Sequence, residues 1–167
     1  EAAHVEAQPS GGPKLSWLSA ADAADLDAIA AQIIPTDDTP GAREAGVVYF
    51  IDRALAGFLS QLARDYRAQL AEFQALCRKQ HAGVASFARL SSDQQIAFLK
   101  TVDRTPFFDT TRLLTLLGMF SVPEYGGNRG GTGWALIGFE DRHFFQPPFG
   151  YYDRDYPGFA AEGTKMP

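Results

Sequence analysis

Up to Phe120 the apolar residues return every three or four positions, and from Ser121 onward that period disappears as glycine, proline and aromatic residues take over. Side chains three and four apart share one face of a helix, so the first pattern specifies a set of amphipathic helices. Proline lacks an amide proton and glycine loosens the backbone, so the second pattern resists long regular elements. The expected architecture is all-α. A small domain of about five helices occupies 18–120, preceded by a flexible polar segment at 1–17 and followed by an irregular, aromatic, Gly/Pro-rich C-terminal extension at 121–167. With 167 residues one core suffices, since a chain of this size buries roughly 70% of the surface it exposes when unfolded.

Local signals place the helices. Ser19 is positioned to cap a helix from Ala20 to about Ile34, with Asp22 in its first turn, Leu18 stapled against Ala23, and Pro35 as its stop. The stretch from Pro35 to Gly41 is a loop of turn formers. A second helix is expected from Arg43 or Ala45 to about Leu59. Val47, Val48 and Ile51 are β-branched, yet Val48, Ile51, Leu55 and Leu59 keep helical spacing. Leu62, Tyr66, Leu70, Phe73 and Cys77 form one face of a third helix, which Gly83 ends. Ser91 and Gln94 make a capping box for a fourth, running through Ile96, Leu99 and Val102. Pro106 opens a fifth that ends near Met119, with Phe108, Leu113, Leu116, Leu117 and Phe120 as its apolar set. Beyond it, Trp134 to Phe139 is a candidate short strand.

The bulk properties exclude several functions. A net charge of −5 is unsuited to a phosphate backbone, so nucleic acid is not an expected partner. No apolar run approaches the roughly 18 residues that cross a bilayer, and any membrane association is expected to go through another subunit. The single cysteine, Cys77, excludes an internal disulfide and reads as a buried thiol beside Leu70 and Phe73. The polar start at 1–13, which has no methionine, fits a processed or trimmed chain, with any export signal removed.

Chemistry-bearing patterns are equally sparse. His4, His81 and His143 match no metal-binding spacing and read as surface or loop residues. No Cys-x-x-Cys-His motif is present for covalent haem. The glycines from Gly126 to Gly133 lack the Gly-Lys-Ser/Thr ending of a phosphate loop and read as a turn-rich connector. Asp37 and Asp38 read as solvated loop carboxylates. No catalytic, cofactor-binding or metal-binding residue is assigned. The C-terminal quarter, however, gathers Trp134, Phe139, Phe144, Phe145, Phe149, Tyr151, Tyr152, Tyr156 and Phe159. Such rings either cap the helical core or anchor a protein interface. Tyr125, Gly126, Gly127, Trp134, Tyr151 and Tyr152 are the candidate partner-binding residues.

Ile33-Ile34-Pro35-Thr36-Asp37, followed by Pro40-Gly41-Ala42-Arg43-Glu44-Ala45-Gly46 and Phe50-Ile51-Asp52, make an ordered series. Pro123-Glu124-Tyr125-Gly126-Gly127-Asn128, Gly133-Trp134 and Ile137-Gly138-Phe139 continue it. In that order and spacing the chain resembles the gluconate 2-dehydrogenase subunit 3 family, from about Leu18 to Asp153. The resemblance implies a small helical partner of a large FAD-binding dehydrogenase subunit of the glucose-methanol-choline type, with a c-type cytochrome subunit often serving as electron acceptor. It also implies a periplasmic location and export by a twin-arginine signal on the small subunit. FAD would belong to the partner, with no cofactor in this chain, and the family offers no catalytic residues to carry over. Two other classes compete: a stand-alone carbohydrate-active enzyme using Asp37, Asp38, Asp153 or Asp155, and a helical module whose aromatics stack on sugar rings.

Overall fold

The computed structural model describes residues 14–141. Five α-helices span the described residues up to Phe120: α1 (Ala20–Ile33), α2 (Val47–Ala56), α3 (Ser60–Gln80), α4 (Ser92–Val102) and α5 (Pro106–Phe120). A short sixth, α6 (Thr132–Leu136), follows, and 3-10 turns occur at Phe87–Arg89, Pro123–Tyr125 and Arg129–Gly131. Among the described residues there is no strand, and the fold is all-α as expected.

The helix starts follow their local signals. Ser19 accepts a hydrogen bond from the Asp22 amide, and Ser91 and Gln94 close a reciprocal capping box. Thr105 caps α5 with Pro106 in the first turn. The second helix is shorter than its apolar spacing suggests. A tight turn over 42–46 ends at Gly46, whose left-handed backbone (φ 68°) launches α2, and Gly57 stops it before Leu59.

α2 is the central helix, packed on α1, α3 and most extensively on α5. Val47, Ile51 and Ala54 are fully buried. Gly118 of α5 lets the two helices approach closely, because a Cβ there would stand 3.1 Å from Val47 Cγ1 and from Phe50 Cβ. An aromatic cluster joins the remaining elements. Phe73 of α3 lies 4.9 Å from Phe107, 5.2 Å from Phe98 and 5.3 Å from Phe87, centroid to centroid. Tilted and edge-on rings at such spacing gain a further ~1 kcal/mol per pair beyond the area they bury.

Several side chains depart from the apolar pattern. On α3, Tyr66, Leu70, Phe73 and Cys77 are buried, whereas Leu62, in the first turn as the chain leaves α2, is exposed. On α4 Ile96 faces outward and Gln95 inward; its amide donates to the Phe87 and Leu90 carbonyls and its oxygen accepts from Gln32. The largest correction is α5, whose buried face is Phe107, Thr111, Leu114, Thr115, Gly118 and Met119. Leu113, Leu116 and Leu117 point outward. Two threonines can face the core because each hydroxyl bonds the carbonyl one turn back, Thr111 to Phe107 (2.7 Å) and Thr115 to Thr111 (2.8 Å). Tyr66 adds its phenol to Thr111 at 2.8 Å.

The candidate strand at Trp134 to Phe139 is a helical turn instead. Its amides close locally, Ile137 to the Gly133 carbonyl and Phe139 to the Trp134 carbonyl. With no neighbouring strand to supply partners, a local ring is how these groups are satisfied. Residues 121–139 then fold back on the end of α5.

Candidate partner-binding surface

The buried carboxylates staple the chain to itself. Asp52, 1% exposed, accepts the amides of Ser16 (2.7 Å), Trp17 (2.8 Å) and Leu18 (2.8 Å), fastening the strap before α1 onto α2. Trp17 packs there, with the Arg67 guanidinium 4.0 Å from its ring centroid and the Tyr66 ring 6.3 Å away, centroid to centroid. Asp25 accepts the Ala88 amide (2.9 Å) and the Gln74 side chain (3.1 Å), tying α1 to the turn before α4 and to α3. Sequence reasoning assigned no role to either residue. The available signal was an aspartate interrupting an apolar stretch, as in Phe50-Ile51-Asp52.

The exposed loop carboxylates are similarly committed. Asp37 accepts the Thr39 amide (2.8 Å) and hydroxyl (2.9 Å), and the amide bond first, then the hydroxyl, hold its carboxyl below the usual range. The Thr36 hydroxyl (2.7 Å) and the Gly41 amide (2.9 Å) meet Glu44, whose pKa is lowered chiefly by the Thr36 bond. Burial pushes the Cys77 thiol up, with the Asp25 charge adding to it. That disfavours the reactive thiolate. Among the described residues no group of three His, Cys, Asp or Glu is arranged to hold a metal ion.

Two open surface grooves flank α5. One, of about 300 Å³, lies between α1, α4 and α5 and is lined by Ile33, Leu99, Lys100, Asp103, Phe108 and Arg112. The other, of about 470 Å³, lies between α3 and the start of α5, beside Glu72, Leu76, Val102 and Pro106. Each has a single carboxylate in its lining, whereas glycoside hydrolysis needs a facing pair.

The segment after α5 is built around Asn128. Fully buried in a left-handed conformation (φ 45°), it donates its side-chain amide to the Ser121 carbonyl (2.8 Å) and accepts the Gly133 amide (2.7 Å). Its backbone amide donates to the Gly118 carbonyl at 2.8 Å. Gly127 and Gly133 let this loop lie directly on α5: a Cβ on either would collide with the carbonyl of Gly118 or Met119 respectively.

These contacts locate the candidate residues. Gly126 and Gly127 are buried, and the close approach they permit is to the chain's own α2 and α5. Trp134 is half-buried, donating its indole N–H to the Phe120 carbonyl (2.9 Å), with Phe139 5.2 Å from its ring. Tyr125 is half exposed and meets Phe58 edge-on at 5.5 Å. Tyr151 and Tyr152 lie outside the described residues, as do His4 and His143. Sequence reasoning missed the outer face of α5, where Leu113, Leu116 and Leu117 are exposed in adjacent turns; Leu136, Ile137 and Phe139 are exposed as well.

The fold and surface define a small all-helical module that uses its carboxylates to hold its own backbone and leaves large apolar side chains in solvent. The model of the family described as gluconate 2-dehydrogenase subunit 3 matches residues 20–141, from the first residue of α1 to the last described residue. The chain belongs to that family. Its description is of a subunit, which implies a multi-subunit complex. No curated relative and no solved structure matches the chain.

Proposed function

We propose that this chain is a non-catalytic accessory subunit of a periplasmic, FAD-dependent sugar or sugar-acid dehydrogenase, where it supports the stability, maturation or export of the large subunit. The observation that carries this reading is the family match, which takes in all six helices and the loop packed on α5. In this reading the large, glucose-methanol-choline type subunit holds FAD and takes hydride from the sugar, and a c-type cytochrome subunit receives the electrons. Export of the loaded large subunit by a twin-arginine signal on the small one belongs to the same proposal. Two features of the chain support it. Asp25, Asp52, Asp37 and Glu44 are occupied by backbone and hydroxyl donors, and the exposed rings and leucines offer the apolar anchors that interfaces use.

Expression of the large subunit with and without this chain tests the proposal. Without it, the soluble, flavin-loaded yield of the large subunit in the periplasm falls severalfold. Equal yield and activity in both cases overturn the accessory role.

A further inference from the structure

Among the described residues two covered side-chain polar atoms have no hydrogen-bond partner, Ser121 Oγ and Arg129 Nη2. Both belong to the loop organised by Asn128. Arg129 is held firmly: its amide donates to the Ala45 carbonyl (3.1 Å) and its guanidinium lies over the Tyr49 ring, 4.1 Å from the centroid. Gly46 leaves the room for it, because a Cβ there would stand 2.5 Å from Arg129 Nε. A ring face attracts the cation but accepts none of its in-plane N–H bonds. The ion pairs among the described residues are Arg43 with Asp27 and Arg64 with Asp65, so Arg129 has no carboxylate partner among them.

A second cation borders the same stretch of α2 around Tyr49. Arg53 lies one turn after Tyr49 on α2, donates Nη1 to the Glu124 carbonyl (3.1 Å), and passes its Cδ where Gly126 has no side chain. The neighbouring Tyr125 and Phe58 rings are half exposed. Two arginines with no carboxylate partner among the described residues, next to exposed aromatic rings, form a cationic spot on a chain of net charge −5. Tyrosine and arginine are the residues that dominate protein interfaces, and complementary charge selects the partner and its orientation.

Resting on the accessory-subunit reading, we propose that Arg129, with Arg53 bordering the same stretch of α2 and the Tyr125–Phe58 pair as apolar flank, is a socket for an acidic side chain of the large subunit. Arg129 as a whole is partly exposed, so the incoming carboxylate pairs with the open part of its guanidinium, and the rings exclude water around the pair. Because Gly46 and Tyr49 already position the fork, little ordering remains to be done on binding.

The test is the affinity of the full chain for the purified large subunit, measured at low and high salt with Arg129→Gln, Arg129→Lys and the unaltered protein. Arg129→Gln weakens the complex about 30-fold or more, the usual loss when a buried, hydrogen-bonded charge partner is removed. Arg129→Lys recovers part of that loss, since it keeps the charge but not the fork. The unaltered complex also loses more affinity with salt than the Gln complex does. Circular dichroism and melting of each free chain verify folding; if the Gln variant does not fold, the Lys variant carries the test through its affinity and salt dependence. Affinity unchanged in both variants, or a Lys variant no better than a folded Gln variant, overturns the socket while the accessory-subunit reading stands. Failure of the unaltered chain to bind the large subunit overturns both.

Discussion

The strap at 14–18 and the loop at 121–131 are both irregular, and both are fixed to the helices, but by opposite means. The strap is gathered by one buried charge, with three successive amides converging on Asp52. The loop is fixed by a neutral side chain, Asn128, and by glycines that let backbone touch backbone. A carboxylate has several acceptor sites and can satisfy three donors at one point, so the strap depends on one residue. In the loop the work is spread over Gly118, Gly127, Asn128 and Gly133, where shape matters more than charge.

The sharpest break in that comparison is Asp52→Ala, which orphans three amides, two of them only part-buried. Bonds to charged groups contribute about 1.5–3 kcal/mol each and are not additive, so the expected loss is about 4 kcal/mol, roughly 10 °C in Tm. Denaturant unfolding measures it, and a loss below 1 kcal/mol shows that the strap is held by other contacts. Asp52→Asn should fall between, because a neutral oxygen still accepts.

Gly127→Ala probes the loop. The added methyl collides with the Gly118 carbonyl, and overpacking of this kind costs about 2 kcal/mol. The prediction separates shape from flexibility: if the melting curve of the variant matches that of the unaltered chain, the loop is free to move off α5. The same variant should also weaken binding to the large subunit, because Arg129 rides on this loop.

The smallest effect belongs to the exposed turn at 35–44, which uses the carboxylate device in solvent. Thr36→Val removes the hydroxyl that chiefly lowers the Glu44 pKa. A depressed carboxyl pKa stabilises the fold above the unfolded value, here 4.5, and that stabilisation is lost as pH falls through the lower folded value. The gap in Tm between the two proteins should therefore be present at pH 7 and close as pH drops below about 4. A gap that is constant from pH 7 to pH 3 assigns the effect to packing instead.

How much was legible varied by element. The capping box at Ser91 and Gln94, the cap at Ser19 and Pro106 at the start of α5 were readable because each signal and its response lie within one helical turn. The candidate partner residues were legible only as a segment. Tyr125 is exposed beside Phe58, while Gly126, Gly127 and Trp134 serve contacts within the chain, and nothing local in Gly-Gly-Asn announces which backbone the glycines approach. Asp52 and Arg129 were passed over because the donors and the ring that explain them come from 34 to 36 positions away for Asp52 and from α2 for Arg129.

By itself, then, the order of residues determined the starts of α1, α4 and α5 and the all-α class of the described residues, since capping residues and proline act over a few bonds. Which side of α5 faces inward was a tertiary decision, whereas the buried face of α3 followed its apolar spacing. On α5 Leu113, Leu116 and Leu117 lost the core to Thr111, Thr115 and Gly118. The hydroxyls could be satisfied one turn back, and only a glycine allowed α2 to come close enough to complete the packing.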